Sequence, residues 1–158
     1  MHNSSPEEAE QASKNMLGHR LYTKQTGREG KPCNKVMVCE RIFTRREFYF
    51  AITLERAFQS PVIITSSQGG GNIEEIAAEN PAAIIKEPID VNTGLTEEQA
   101  LMLATKLGFE KDAKRSAADM MLKLYKLFQE RDCILLEINP LSETTDGEVI
   151  CMDCKFGP

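Results

Sequence analysis

The chain has no apolar run approaching the roughly 18 residues that a membrane-spanning helix needs, so no such span is predicted. It also lacks a lysine- and arginine-rich cluster. With 24 acidic residues against 19 basic ones and a net charge of −5, the composition argues against a nucleic-acid-coating surface but leaves room for a local basic pocket for a phosphate. Histidine is scarce: His2 and His19 are the only two, both remote in sequence from Cys151-Met-Asp-Cys154. That CxxC has no second pair to complete a zinc knuckle. No GK[ST] follows a glycine run and no G-x-G-x-x-G occurs, which removes the P-loop and the dinucleotide fingerprint. Residues 1–6 are polar and show no recognisable targeting segment, which for a part of a longer chain says nothing about compartment. The five cysteines are an odd number lodged in apolar runs, so they are read as reduced thiols with buried structural roles.

What is present suits a globule. The chain has 158 residues, 41% hydrophobic and 27% charged. A domain of about 150 residues hides roughly 70% of its unfolded surface, so one domain with a sizeable core is expected. Collagen-like, low-complexity and disordered classes are excluded.

Ser5-Pro6-Glu7-Glu8 reads as a capped helix start, with the helix running to about Gly18 and Ala9, Ala12, Met16 and Leu17 as its stripe. Strands are predicted over residues 33–40, 46–55 and 61–66, joined as an antiparallel meander. Glycines 69–71 precede a helix from near Asn72 to Asn80. An edge strand over 84–89 contains Pro88. Two helices follow: one capped at Thr96 and ending at Gly108, one over about 116–131 with Met120, Met121, Leu124, Leu127 and Phe128 inward. A hairpin of strands 133–139 and 148–155 closes the chain. The fold class is therefore α+β, a largely antiparallel sheet with helices packed on one face.

The hairpin is the most informative place for chemistry. With Asp146 at the centre of the connection, Asn139 faces Asp153 and Glu137 faces Lys155. Two acids, a carboxamide and an ammonium then line one patch, with Leu136, Ile138, Ile150 and Met152 as core on the other face. A carboxylate and a carboxamide oxygen are ligands that Mg²⁺ accepts, with water and phosphate completing its shell. A solvated polar face with a cross-strand ion pair accounts for the same residues, and both readings stand. Gly69-Gly70-Gly71 before a helix frees backbone amides for an anion, or forms a mobile turn. Arg41, Arg45, Arg46, Glu40 and Glu47 could hold a ribose or phosphate, or form a solvated connection.

Taken in order, NKVMVCERIFTRREFYFAITLER, SSQGGGNIEEIAAENP, IIKEPIDV, LEINPL and GEVICMDCKFG resemble the succinyl-CoA synthetase (succinate–CoA ligase) β-subunit family, and the resemblance covers essentially the whole chain. The VCER…RREFYFAIT and IIKEPID stretches look most like the mitochondrial ADP-forming type. The resemblance implies an ATP-grasp lobe. It implies reversible conversion of succinate, CoA and ATP to succinyl-CoA, ADP and phosphate, with GTP/GDP as the other nucleotide choice. It implies further that a histidine of a partner α subunit carries the phosphoryl group, in the mitochondrial matrix, with no nucleic acid or membrane as partner. By the same resemblance Asn139 and Asp153 match Mg²⁺ ligands, and Glu137 matches a catalytic glutamate that orients the histidine. Glu47 and Cys39 match nucleotide contacts, Cys39 at the hinge beside the base. Ile42 stands at a nucleotide-contact position where a threonine can occur, and so supplies no hydroxyl.

The family's N-terminal lobe, with its strand lysine and glycine loop, and its C-terminal CoA-ligase domain have no counterpart in these residues. Residues 1–158 are thus expected to be part of an ATP-grasp domain, inactive alone. Related acyl-CoA ligases, of malate–CoA or citrate-cleaving type, and a non-catalytic module that binds the α subunit are the alternatives.

Overall fold

A computed structural model describes residues 5–23, 26–71 and 73–157, which fall into two compact units, Met1–Ile42 and Phe43–Pro158. Asn72, where the second helix was expected to begin, and His2 lie outside the described residues.

The first unit opens with helix α1, Pro6–Met16. Ser5 caps it by accepting the Glu8 amide at 3.2 Å, and Pro6 takes the first turn, where no amide hydrogen is needed. Ala12 is its one buried residue, and Leu17 lies beyond the helix and is exposed. Strands β1 (Arg20–Leu21) and β2 (Lys31–Pro32) form a short antiparallel pair. The strand expected over 33–40 is not formed. After Cys33, whose amide donates to the His19 carbonyl, the segment has no ladder partner, and Met37 and Val38 are exposed. β-branched content favours extended backbone, but a strand also needs a neighbour to take its hydrogen bonds.

The second unit is a six-stranded sheet in the order β5-β4-β3-β6-β7, with β8 also on β6. Its strands are β3 (Thr44–Glu55), β4 (Ser60–Ser66), β5 (Ile85–Pro88), β6 (Leu135–Thr144), β7 (Val149–Cys151) and β8 (Cys154–Gly157). Every pairing is antiparallel. β5 is an edge, as its proline suggested. Helix α2 (Ile73–Glu79) and a 3₁₀ turn (Pro81–Ala83) connect β4 to β5.

Helices α3 (Glu97–Lys106) and α4 (Lys111–Glu130) cover one face. Thr96 and Gln99 close a reciprocal capping box on α3. α4 starts at Lys111 rather than near Ser116, because Ala113 and Ala117 continue the buried stripe of Met121, Leu124 and Phe128 one turn at a time. Against them lie Phe48, Phe50, Ile52, Ile63, Leu136, Ile138 and Leu141, none more than 1% exposed.

The hairpin register is the expected one: Glu137 pairs with Lys155, and the Asn139 amide donates to the Asp153 carbonyl at 3.3 Å. The pattern of faces is not. Phe50 pairs with Ile138 but Phe48 with Leu141, so β6 carries one extra residue at Asn139–Pro140. Beyond this bulge the faces exchange. Val149 and Cys151 turn to the helices, while Ile150 and the exposed Met152 do not join the core predicted for them. Pro140 has no amide hydrogen, and the second hairpin strand is split into β7 and β8 around Met152-Asp153.

All five cysteines are free, but only Cys133 is buried. Cys151 rests against Met120, with 3.6 Å between the sulfurs, and Cys154 is exposed, so burial does not explain the CxxC pair as expected.

Candidate functional site

The face of the sheet away from α3 and α4 carries Glu47, Tyr49 and Ala51 of β3, which alternate with the core-facing Phe48, Phe50 and Ile52. Glu137 lies opposite Ala51 on the neighbouring strand. Its Oε2 accepts the Tyr49 hydroxyl at 3.2 Å, a diagonal cross-strand contact, and its Oε1 takes Lys155 Nζ at 3.4 Å. Tyr49 is buried. Desolvation of the phenolate comes first, then the Glu137 charge, and together they push Tyr49 ionisation far above its ordinary range. The phenol therefore stays a donor, and it holds one oxygen of a carboxylate whose side chain is 20% exposed. Nothing in the period-two pattern singled out Tyr49; its place two residues from Glu47 on a strand was the available signal.

Asn139 is held by the glycine run. Gly70 N–H donates to Asn139 Oδ1 at 2.9 Å, and Asn139 Nδ2 donates to the Gly71 carbonyl at 3.1 Å. The run returns over β3, where the Gly69 amide donates to the Glu47 carbonyl at 3.0 Å. Glu47 is exposed at the same spot, with Oε1 accepting the Thr44 hydroxyl at 3.3 Å and Oε2 in the space a Cβ on Gly70 would fill. The glycines are thus neither a lone anion cradle nor a free turn; they are the backbone frame of Asn139.

Asp153 stands across the hairpin from Asn139, exposed, with no hydrogen bond or ion pair to its carboxylate among the described residues. Mg²⁺ takes oxygen ligands in octahedral array and keeps water and phosphate in most positions. One lone pair of Asn139 Oδ1 and the uncommitted Asp153 carboxylate suit that demand. Among the described residues no group of three or more His, Cys, Asp or Glu gathers as a metal cluster, here or elsewhere, so any cation here would draw the rest of its shell from water and phosphate.

The structure brings Glu137, Asn139, Asp153 and Glu47 into the second unit; Cys39 is exposed in the first. The arginines of the β3 approach divide. Arg46 is spent on structure: Nε donates to Glu143 Oε2 at 2.7 Å, and a terminal nitrogen to the Gly108 carbonyl at 2.9 Å. Arg45 is mostly exposed, 3.9 Å from the same glutamate. A cleft of about 490 Å³ lined by Arg45, Arg46, Lys111, Glu110, Glu143 and Asp146 lies on the helix side, and none of the five predicted site residues lines it.

Residues 2–143 match the ATP-grasp domain. The chain belongs to the ATP-grasp domain family. The mitochondrial β subunit of the ADP-forming succinate–CoA ligase of Columba livia is 58% identical over 152 residues, 96% of this chain and 37% of that one. Its counterpart from Caenorhabditis elegans is 54% identical over 152 residues, 96% and 35% of the two chains. The GDP-forming mitochondrial β subunit of Dictyostelium discoideum is 48% identical over 149 residues, 94% and 36%. This ATP-grasp chain spans just over a third of the length of the curated relatives it matches. Among solved structures, ATP citrate lyase from Methanothrix soehngenii superposes with a TM-score of 0.63 at 18% identity, over 95% of this chain and 32% of that one, a likeness of fold.

Proposed function

We propose that this chain supplies the nucleotide- and Mg²⁺-facing sheet of a succinate–CoA ligase β subunit that works with an α-type partner in the mitochondrial matrix. The observation that carries the reading is one face of one sheet. It presents an anchored carboxylate, Glu137, and, further along β6, Asn139, whose backbone amide bonds the carbonyl of Asp153 across the hairpin. The identity to ADP-forming β subunits over nearly all of the chain supports the same assignment and favours adenine over guanine.

Phosphoryl transfer needs little covalent help from the protein; it needs alignment and neutralised charge. Asn139 and Asp153 would hold Mg²⁺, which when bound supplies positive charge to the nucleotide phosphates. Glu47, exposed at the start of β3, accepts a ribose hydroxyl. The resemblance assigns Cys39 of the first unit to the adenine, through its backbone groups. Glu137 has its carboxylate held between a phenol donor and an ammonium. It accepts an imidazole N–H from the partner's histidine and so aims the other ring nitrogen at the phosphoryl group.

The test is Asp153→Asn in the full-length subunit assembled with its α-type partner. The substitution keeps size and removes the charge. Turnover with Mg-ATP, succinate and CoA should fall at least about tenfold, with the loss partly relieved by raised Mg²⁺. Turnover close to that of the unaltered complex would defeat the metal assignment.

A further inference from the structure

Asn139 has two nearly isosteric ends, and only its oxygen can meet a cation. The backbone around it decides which end goes where. Oδ1 sits on the Gly70 N–H and Nδ2 on the Gly71 carbonyl. A flipped amide would set two donors together at Gly70 and two acceptors together at Gly71, forfeiting both bonds. The frame is itself fixed to β3. The Gly69 amide bonds the Glu47 carbonyl at 3.0 Å, and a Cβ on Gly69 would overlap the backbone of Phe48. Gly70 has φ +74°, and a Cβ there would run into the Glu47 carboxylate. Gly71 differs: a Cβ there meets nothing nearer than Ile76 Cδ1 at 3.9 Å.

We propose that Gly69-Gly70-Gly71 is a positioning clamp that locks the Asn139 carboxamide with its oxygen available to the cation, and couples it to Glu47. The clamp rests on the reading of Asn139 as a cation ligand, and it assigns the glycine run a role within that site. It orders the three glycines by what a methyl group would do, not by their shared identity. Gly69 and Gly70 are required as glycine; Gly71 is required only for its carbonyl.

The experiment measures Mn²⁺ binding in the presence of ADP by the loss of the free-ion electron paramagnetic resonance signal, on the full-length subunit with its partner. Thermal unfolding is followed in parallel. Gly69→Ala should weaken Mn²⁺ binding by roughly ten- to a hundredfold, as expected when a group orienting a metal ligand is lost. Gly71→Ala should change it by less than about threefold, within the loss expected from an ordinary van der Waals contact. Asn139→Asp, which keeps an oxygen and adds charge but loses the bond to the Gly71 carbonyl, should also bind more weakly. Asp153→Asn is the reference. If it weakens binding while Gly69→Ala matches Gly71→Ala, the clamp is overturned and the cation site survives. If Asp153→Asn leaves binding unchanged, the cation reading fails and the clamp fails with it. Should Gly69→Ala not fold, tighter binding by Asn139→Asp overturns the clamp independently.

Discussion

Glu137 and Glu143 lie on the same strand, separated by an even step, and a regular strand would aim both at one face. The bulge at Asn139–Pro140 sends them to opposite faces instead. Glu143, 4% exposed, turns to the helices and is closed off by Arg46, whose guanidinium also bonds the Gly108 carbonyl and lies 5.3 Å and 5.6 Å from the rings of Phe48 and Phe109. Glu137 turns to the other face, with one oxygen on a buried phenol and the other on an exposed ammonium. One glutamate joins β6 to the end of α3; the other is restrained but reachable. A single inserted residue thus separates a structural carboxylate from a candidate catalytic one.

The contrast breaks most visibly at Arg46. Arg46→Ala would leave Glu143 buried with Arg45 alone, 3.9 Å away and largely in solvent. Glu143 is buried but the Arg46 side chain is 36% exposed, so the cost lies at the low end for a broken buried pair, about 3 kcal/mol, set by the charge left uncompensated. Urea unfolding should show a loss of that order. A loss below about 1 kcal/mol would mean that Glu143 is no more structural than Glu137.

Tyr49 sharpens the other side. Tyr49→Phe removes one donor and leaves Glu137 Oε2 to water. A hydrogen bond to a charged group contributes about 1.5 kcal/mol or more, and partial exposure of Glu137 holds the loss near that lower value. Equilibrium unfolding checks this. A loss as large as that from Arg46→Ala would place Glu137 in the buried, structural class.

The contrast also marks where sequence reasoning stops. The register of the hairpin was legible, since Asp146-Gly147 centres the turn and alternation does the rest. Helix starts at Ser5 and Thr96 were legible because side-chain caps act locally. The bulge was not, because a period-two pattern contains no mark of an inserted residue until the partner strand is known; Ile150 and Met152 were misassigned for that reason. The strand over 33–40 failed likewise, since its composition is right but pairing is non-local. At the candidate site, Glu137, Asn139 and Asp153 were singled out from strand spacing and resemblance. The contacts of Tyr49, Gly69 and Gly70 were not, because they run across β3 and join distant parts of the chain.

The smallest effect expected is at Lys155. Its ammonium is 3.4 Å from Glu137 Oε1, with a side chain 60% exposed. Water screens such a pair, and fixing a long side chain offsets much of its attraction, so exposed ion pairs contribute only about 0.2–1 kcal/mol. Lys155→Ala should therefore lower stability by no more than about 0.5 kcal/mol. The difference should vanish in about 1 M salt, where the screening length falls to about 3 Å. If it exceeds the effect of Tyr49→Phe and persists in salt, the ammonium and not the phenol anchors Glu137. The carboxylate would then be held from the exposed edge at β8 and not from within the sheet.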